Sequence, residues 1–403
     1  MTVEHEELLA KLLVRNESKI VLIVLDGLGG MQTSGVSTEL HAAASPHLDG
    51  LARDGSSGLA TIVRPGITPG SGAGHLSLFG YDPLQYELGR GALSAAGIGF
   101  ELKPGDIAAR VNFCTLDERG VIVDRRAGRI PTETNKKLCK KILEEADLGE
   151  GVEIFLETER EHRALLVLRG EGLAPAVADT DPQIEGVVPF EPQGTSANGD
   201  VTAALLKKLL TQVRTVLAGE AANFILLRGL DTHRELPAFG ERYGLRPAAI
   251  AGYPMYIGIA RLLGMDVFGP KSSWTEEVDE LEKAWEAHDF FYIHQKRTDS
   301  AGEDGDFDGK VNAIEEVDAT IPRILELGPD VICVTGDHAT PSQLMQHSWH
   351  PVPFLLWGER VGVDHLKVFS EESARGGGLG WVKGTDLMPL MLAAAARLLK
   401  YGA

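Results

Sequence analysis

Four short apolar runs of the chain are continuous rather than alternating. Residues 20–25 are apolar at every position, and comparable runs recur at residues 290–293, 331–334 and 352–357. Because both faces of such a strand must be covered, the pattern is typical of central strands in an α/β sheet. Between the last three runs lie stretches whose apolar residues recur at helical spacing. The pattern therefore predicts an α/β core with a mainly parallel sheet flanked by helices.

Carboxylate and imidazole side chains stand just past three of these runs. Asp26 ends the first run, Asp299 lies beyond the second, and Asp337 with His338 follows the third. Open α/β sheets bind ligands at the carboxyl ends of their strands, so we expect these side chains to meet at one edge. Such ligands suit divalent ions, and the set is large enough for two of them. The candidates are Asp26, Ser71, Asp299, Glu303, Asp337, His338 and His347.

The segment TPGSGAGHLSLFGYDP, residues 68–83, places Ser71 among glycines, with His75 four positions later. No lysine follows these glycines, as a nucleotide P-loop requires, and the spacing differs from that of a dinucleotide-binding GxGxxG motif. A plain turn is the alternative interpretation of an isolated Gly-Ser-Gly.

Residues 104–220 have a different pattern, in which short alternating strands mix with isolated helices and many turn residues. This pattern is typical of an α+β module. A buried-strand pattern resumes at residues 223–230. We therefore expect residues 104–220 to be an inserted domain, and residues 1–103 and 221–403 to form one discontinuous core.

Composition limits the possible partners. The chain has 403 residues, with 39 Lys and Arg against 58 Asp and Glu, a formal net charge of −19. This charge argues against binding to nucleic acid or anionic membranes, and a site for an anionic substrate must supply local arginines or metal. No apolar run approaches the roughly 20 residues of a membrane span. The charged N-terminus lacks a signal-peptide core, and three scattered cysteines suggest no disulfide framework, so we expect a cytoplasmic protein. The oligomeric state stays open.

Five motifs occur in a fixed order along the chain: VLIVLDGLGG, TPGSGAGHLSLFGYDP, TDSAGEDGDFDGK, VTGDHATP and HSWHPVP. Together they resemble the alkaline phosphatase superfamily, and more closely its archaeal-type, cofactor-independent (2,3-bisphosphoglycerate-independent) phosphoglycerate mutases. The resemblance runs from about residue 18 to the C-terminus and implies an alkaline-phosphatase-like core. The CxPxR signature of the related sulfatases is absent from the sequence.

The resemblance implies that Ser71 is a nucleophile that is transiently phosphorylated. One metal ion would bind Ser71 with Asp26, Asp337 and His338, and a second would bind Asp299, His347 and the residue at position 303. A coordinated metal could activate the weakly nucleophilic serine hydroxyl, and a helix that starts at Ser71 would direct its N–H groups at a phosphate. His75 could serve either catalysis or helix packing.

Position 303 departs from the family pattern. The family commonly has histidine there, and this chain has Glu303, four residues after Asp299 in what we expect to be a glycine-containing loop. A carboxylate at this position could reach the metal, or it could face solvent. We expect the protein to bind two divalent metal ions. Manganese is the ion that we favour, and magnesium, cobalt and zinc are the alternatives.

The insertion is expected to act as a lid that binds an anionic substrate and excludes water. The lid residues that we expect to bind substrate are Arg126, Arg129, His162 and Arg163. Arg228 is expected to bind substrate, and Lys296 is expected to act in catalysis together with Ser71. Arg228 and Lys296 both lie on segments that we expect to belong to the core after the insertion. The alternative is that these basic residues pair with surface carboxylates.

The activity that the resemblance implies is the interconversion of 3-phosphoglycerate and 2-phosphoglycerate in glycolysis and gluconeogenesis. A metal-dependent phosphatase or phosphonate hydrolase on the same core is the alternative. A non-catalytic relative that binds metal or metabolite is a third possibility, which only Glu303 favours.

Overall fold

The computed structural model of the protein describes residues 3–33 and 35–402. The chain divides into two compact units. The core unit comprises Met1–Glu87 and Leu236–Ala403, and the inserted unit comprises Leu88–Glu235. No helix within the described ranges is long and apolar enough to cross a membrane.

Strands and helices are numbered along the chain, within the described residues. The strands are β1 (Ile20–Leu25), β2 (Ser56–Thr61), β3 (Ile107–Leu116), β4 (Ile122–Asp124), β5 (Val152–Arg160), β6 (Arg163–Gly170), β7 (Phe224–Thr232), β8 (Pro247–Ala251), β9 (Asp266–Phe268), β10 (Phe290–Gln295), β11 (Val331–Thr335), β12 (Val352–Gly358) and β13 (Gly380–Lys383). The helices are α1 (Val3–Leu12), α2 (Glu39–Ala42), α3 (Pro46–Arg53), α4 (Ser71–Leu78), α5 (Arg90–Ile98), α6 (Thr132–Glu145), α7 (Gly199–Val216), α8 (Phe239–Tyr243), α9 (Pro254–Leu262), α10 (Trp274–Ala284), α11 (Arg297–Asp304), α12 (Phe307–Asp318), α13 (Ile321–Glu326), α14 (Glu371–Arg375) and α15 (Leu387–Ala394).

The core unit contains an eight-stranded sheet with the order β13-β2-β12-β11-β1-β10-β8-β9. Strand β1 is fully buried and lies between β10 and β11, parallel to both. The sheet is mainly parallel, and β12 is the strand that runs antiparallel to its two neighbours. The predicted α/β core with a mainly parallel sheet is confirmed.

The register of the three central strands determines where their polar neighbours emerge. Leu25 pairs with Gln295, and Val24 pairs with Thr335. The residues that follow β1, β10 and β11 therefore leave the sheet at the same edge. Asp26 is one of these residues, and it is completely buried.

Helix α4 begins at Ser71, after Gly70 in an extended conformation. A Cβ atom on Gly74 would lie 2.4 Å from the carbonyl oxygen of Asp337, so only glycine permits this close packing of helix and loop. A Cβ atom on Gly70 would have no neighbour within 4 Å. The glycines around Ser71 therefore leave open space on one side and allow close packing on the other.

The inserted unit contains a five-stranded sheet in which β4, β3, β6 and β5 follow one another and β7 pairs with β3. Its hydrophobic core includes Leu138 of α6, Leu206 and Val213 of α7, and Leu166 of β6. These helices cover one face of an antiparallel sheet, which is the α+β arrangement that the sequence predicts.

The prediction that residues 223–230 form a core strand is wrong. They belong to β7, which runs antiparallel to β3 in the inserted unit, so Arg228 is also a residue of that unit. Helix α5 joins the same unit because Ala92 and Ala95 pack with Ala108 of β3. The unit therefore spans residues 88–235 rather than 104–220. An apolar run shows that a strand is buried but not which sheet contains it.

Candidate metal centre

Four side chains predicted to bind one metal ion converge at the edge of the core sheet. Asp26 follows β1, Asp337 and His338 follow β11, and Ser71 starts α4. The His338 Nε2 atom lies 3.3 Å from Asp26 Oδ1, 3.3 Å from Asp337 Oδ2 and 3.1 Å from the Ser71 hydroxyl. Asp26, Asp337 and His338 are completely buried, and each offers a ligand atom within 4.8 Å of the others.

The two oxygens of the Asp26 carboxylate have different surroundings. Oδ2 accepts hydrogen bonds from the Tyr256 hydroxyl and from Lys296 Nζ at 3.0 Å, and His294 Nε2 lies 3.2 Å away. Oδ1 is buried and has no hydrogen-bond donor among the described residues. The crowded oxygen is held in place by the protein, and the other faces His338 Nε2.

The two carboxylate oxygens of Asp337 also differ in their surroundings. Its Oδ1 accepts a hydrogen bond from the Gly27 N–H at 3.1 Å, and its buried Oδ2 has no hydrogen-bond donor among the described residues. The His75 Nδ1 atom lies 3.2 Å from Oδ2 but hydrogen-bonds to the Ser71 carbonyl at 2.9 Å. Buried carboxylate oxygens without donors are costly, and a bound cation would satisfy them. The donor set therefore fits a divalent metal ion.

The pKa values agree with a charged carboxylate beside a neutral imidazole. Burial raises the pKa of Asp26, but the charges of Lys296 and nearby histidines outweigh it and hold that pKa well below its usual range. Burial lowers the pKa of His338, which favours the neutral ring that binds metals. His75 Nδ1 lies 2.9 Å from the Ser71 carbonyl, a contact that links this ring to the start of α4.

A chain of hydrogen bonds sets the tautomer of His338. Thr340 donates its hydroxyl proton to Asp299 Oδ1 at 2.7 Å and lies 3.0 Å from His338 Nδ1. The Thr340 oxygen must then accept from Nδ1–H, which leaves the Nε2 lone pair directed at Asp26, Asp337 and Ser71. His338 is also close to Asp299 and His347, but this tautomer assigns its free nitrogen to the first site.

Asp299 and His347 form a second cluster. The His347 Nε2 atom lies 3.5 Å from Asp299 Oδ1, and the His347 ring stacks on His338 with centroids 3.7 Å apart. His347 Nδ1 is 3.0 Å from the Pro69 carbonyl, so Nδ1 carries the proton and Nε2 is free to bind a metal. The second predicted pair of ligands therefore lies together beside the first cluster.

Glu303 lies on a helix, so the predicted loop is wrong. Asp299 and Glu303 are one turn apart on α11, whose left-handed C-cap is Gly305. Their side chains share a face because residues four apart on a helix are neighbours. Glu303 Oε1 is 3.7 Å from His347 Nε2, and 55% of its side chain is exposed. Burial and the charge of Asp299 raise the pKa of Glu303.

Lys296 connects the two clusters. It is the N-cap residue of α11, and its Nζ lies 2.6 Å from Asp299 Oδ2 and 3.0 Å from Asp26 Oδ2. Burial lowers the pKa of Lys296, but these carboxylates outweigh it and raise the pKa above its usual value. The two carboxylates therefore favour the charged form of Lys296.

The inserted unit holds its own cluster of basic side chains. Arg110 of β3 is paired in register with Arg228 of β7. Burial and the charges of Arg90, Arg163 and Arg228 lower the pKa of Arg110 to about 9. Burial and nearby arginines, Arg163 first, lower the pKa of His162 to about 4. Mutually repelling guanidinium groups of this kind are expected where an anion binds.

Other predicted basic residues lie on a tight loop. Ala127, Gly128 and Arg129 all have positive φ values, of 45°, 63° and 52°. The Asp124 carboxylate accepts hydrogen bonds from the N–H groups of Arg126 and Gly128. Left-handed backbone at non-glycine residues costs free energy and is concentrated at functional sites. The loop presents Arg126 and Arg129 as exposed side chains.

Arg125 and Arg228 carry carboxylate partners. Arg125 makes a two-point contact with the buried Asp181, at 3.0 and 2.6 Å. Arg228 donates to the Gln183 side-chain oxygen at 2.7 Å, and its Nε lies 3.7 Å from Asp181. The ion-pair interpretation therefore applies to Arg125, whose charge is balanced by Asp181, and in part to Arg228.

The sequence analysis did not identify several residues of the metal centre and of the basic cluster in the inserted unit. Tyr256, His294 and Thr340 contact the metal-ligand candidates, and Arg90 and Arg110 belong to the basic cluster. A charged residue inside a buried strand was the available signal for Arg110, and a histidine inside an apolar run was the signal for His294. Tyr256 and Thr340 gave no such signal.

Comparisons with known proteins identify a family to which the chain is similar. A family model described as 2,3-bisphosphoglycerate-independent phosphoglycerate mutase matches residues 52–223. A protein of Thermus thermophilus, named "Probable 2,3-bisphosphoglycerate-independent phosphoglycerate mutase", is 50% identical over 98% of both chains. A protein of the same name from Aquifex aeolicus is 46% identical over 98% of this chain and 100% of its own.

Two solved structures are also similar. The PH0037 protein from Pyrococcus horikoshii has a TM-score of 0.82 at 29% identity and covers 96% of this chain and 100% of its own. The cofactor-independent phosphoglycerate mutase from Thermoplasma acidophilum has a TM-score of 0.66 at 32% identity, and the match covers 94% of this chain and 99% of that one.

Proposed function

The chain belongs to the 2,3-bisphosphoglycerate-independent phosphoglycerate mutases, and we propose that it interconverts 3-phosphoglycerate and 2-phosphoglycerate through a phosphoserine on Ser71. The observation that carries this proposal is the position of the Ser71 hydroxyl, 3.1 Å from His338 Nε2. The same nitrogen faces the donor-free oxygens of Asp26 and Asp337.

Two divalent ions, manganese before magnesium, cobalt or zinc, are part of the proposal. Asp26, Ser71, Asp337 and His338 would hold one ion, and Asp299, Glu303 and His347 would hold the other. When bound, such ions stabilise a serine alkoxide and offset phosphate charge. Asp26 Oδ2 is held by Lys296 and Tyr256, which keeps the carboxylate fixed through the reaction.

The reaction conserves atoms and needs no further reactant. The Ser71 hydroxyl loses its proton and its oxygen forms a bond to phosphorus while the bond from phosphorus to the glycerate oxygen breaks, and that glycerate oxygen takes up a proton. The neighbouring glycerate hydroxyl then loses its proton and forms a bond to phosphorus while the bond from phosphorus to the Ser71 oxygen breaks, and the Ser71 oxygen regains a proton. The N–H groups at the start of α4 would bind the phosphoryl oxygens. Lys296, whose Nζ contacts Asp26, Tyr256 and Asp299, would act by holding the two carboxylates in place.

The basic cluster of the inserted unit would bind the anionic groups of the phosphoglycerate. The core unit has carboxylates at its site, and the chain has a net charge of −19, so a substrate with a carboxylate and a phosphate needs concentrated positive charge. Arg126, Arg129, Arg163 and Arg228 were predicted for this role, and Arg90 and Arg110 join them. His162 was also predicted, but with its pKa lowered to about 4 it would act as a neutral hydrogen-bonding group rather than as a cation. Holding the glycerate also keeps water from the phosphoserine. The lid role stays a prediction.

The substitution R163A should raise KM about tenfold, because a charge-assisted hydrogen bond to an anion is worth roughly 1.5 kcal/mol or more. It should also increase the fraction of phosphate lost to water. Initial rates with both phosphoglycerates, together with released phosphate, measure these effects. The control is R214A, an exposed arginine of α7 in the same unit. Equal KM and phosphate release in both variants would assign Arg163 to surface ion pairing.

Glu303 should favour manganese or magnesium, because a carboxylate oxygen is a harder ligand than an imidazole nitrogen. We expect E303H to shift the preference towards zinc and cobalt, and E303A to weaken manganese binding by about tenfold or more. Calorimetric metal titrations of both variants give these values. D304A removes an exposed carboxylate from the next position and is the control. If all four proteins share one affinity and one preference, Glu303 is not a ligand.

The proposed activity is tested with purified protein, manganese and 3-phosphoglycerate, followed by phosphorus NMR. We expect the 2-phosphoglycerate resonance to appear without added 2,3-bisphosphoglycerate. Free phosphate as the main product would indicate a phosphatase, and an unchanged spectrum would indicate a non-catalytic protein. As an isomerase of this kind, the protein would act in glycolysis and gluconeogenesis in the cytoplasm.

A further inference from the structure

Lys310 is a charged residue buried completely within the core unit. It lies on α12 and has no accessible surface. Its Nζ atom is 2.8 Å from the Thr340 carbonyl, 2.9 Å from the Gly27 carbonyl and 3.4 Å from the Gly29 carbonyl. The three surrounding acceptors match the three N–H donors of an ammonium group, whereas a neutral amine has two protons and a lone pair.

These carbonyl groups belong to the two loops that carry the metal-ligand candidates. Gly27 follows Asp26, and Thr340 lies two residues after His338. The Thr340 N–H also donates to the Gly27 and Gly29 carbonyls, both at 3.1 Å. The ammonium and this backbone N–H therefore neutralise the same group of carbonyl dipoles and join the two loops.

Helix α11, which carries Asp299, meets the loops at the same place. A Cβ atom on Gly302 would lie 2.3 Å from the Thr340 carbonyl oxygen, so glycine is required for the helix to approach it. The Thr340 side chain hydrogen-bonds to Asp299 and contacts His338. One carbonyl group bound by Lys310 is thus adjacent to ligand candidates of both sites.

Two buried carboxylates accompany Lys310, but neither is its closest partner. Glu39 Oε2 lies 3.8 Å from Lys310 Nζ, farther than any of the three carbonyls. Glu39 accepts a hydrogen bond from the Ser342 N–H at 2.8 Å, and Glu371 accepts one from the Gly30 N–H at 2.7 Å. These carboxylates balance the buried charge, and the carbonyl contacts determine where the ammonium lies.

We propose that Lys310 is a positioning residue whose ammonium group fixes the spacing of the Asp26 and His338 loops, and through them the spacing of the two metal sites. The proposal rests on the two-metal function above. Without the ammonium, the Thr340 carbonyl would lose this donor, and the Gly27 and Gly29 carbonyls would keep only the Thr340 N–H. The loops would separate, and metal binding would weaken before substrate binding did.

The test is manganese binding to the substitution K310M, which keeps the length and packing of the side chain but removes its charge and donors. We expect calorimetry to show manganese affinity reduced by about tenfold or more at one site at least, the range seen when contacts behind metal ligands are lost. The electron paramagnetic resonance signal of two coupled manganese ions should also weaken. In kinetics, kcat should fall while KM for 3-phosphoglycerate stays within about twofold.

The matched control is E39Q, which neutralises the nearby carboxylate but leaves the carbonyl contacts of Lys310 and an acceptor for Ser342. We expect its manganese affinity and coupled signal to match those of the wild type. K310Q keeps two N–H donors and should recover part of the lost affinity, and it replaces K310M if that variant does not fold.

The proposal would be overturned if K310M kept the manganese affinity and the coupled manganese signal of the wild type. It would also be overturned if K310M and E39Q lost the same manganese affinity. Either result would leave Lys310 with only the role of a buried ion pair. The proposal would likewise be overturned if K310Q bound manganese no more tightly than K310M. A wild-type protein that binds fewer than two manganese ions would instead overturn the two-metal function on which the proposal rests.

Discussion

The substitution S71A should lower the mutase rate by at least about 1000-fold, because it removes the only oxygen of the α4 start that can form a phosphate ester. Asp26, Asp337 and His338 remain to hold a metal, so folding and most metal binding should persist. Initial rates with 3-phosphoglycerate, circular dichroism and manganese titration measure the three properties.

The control for this prediction is S77A, on the same helix. Ser77 is buried and donates its hydroxyl proton to the Ile62 carbonyl, away from the metal-ligand candidates. Its removal should reduce stability modestly and leave the rate near that of the wild type. An S71A protein with more than about 1% of the wild-type rate would contradict a serine nucleophile, since that residual rate corresponds to a loss of under about 3 kcal/mol.

The substitution D337N should remove one of two bound manganese ions and lower kcat/KM by about 1000-fold, since metal stabilisation of developing charge is worth several kcal/mol. Asparagine can still accept the Gly27 N–H, so the loop should keep its shape. What is lost is the negative charge beside His338 Nε2. Calorimetric metal stoichiometry and steady-state kinetics check both expectations.

D330N is the control for D337N, because Asp330 lies at the opposite end of β11. Its carboxylate accepts the Lys19 N–H at 2.7 Å and has no contact with the metal-ligand candidates. We expect two bound manganese ions and an unchanged rate. If D337N also binds two ions with wild-type affinity, Asp337 does not hold a metal.

The sequence was sufficient to predict the edge of the sheet where the site lies. Continuous apolar runs identify β1, β10 and β11 as central strands, and parallel strands bring the residues that follow them together. Asp26 and Asp337 could therefore be assigned to one site although about 310 residues separate them, because the carboxyl ends of neighbouring parallel strands lie at the same edge of the sheet. The start of a helix at Ser71 was also predictable from the glycine that precedes it, Gly70, and from the apolar residues that follow it.

Other features depended on tertiary contacts that no local pattern encodes. Strand β7 resembles a core strand in composition, and only its pairing with β3 places it in the inserted unit. The segment of Asp299 and Glu303 contains small and polar residues that suggest a loop, but close packing of Gly302 on Thr340 accommodates a helix there. Lys310 looks like an ordinary surface lysine of an amphipathic helix until its three carbonyl partners are seen.

The most direct test of the central claim is to trap the phosphorylated enzyme. Protein mixed with manganese and 3-phosphoglycerate is quenched in acid within milliseconds, digested and analysed by mass spectrometry. We predict a phosphate ester on Ser71 that forms and decays within a single turnover and is absent from S71A. A wild-type enzyme that turns over while Ser71 stays unmodified at every quench time would contradict the account.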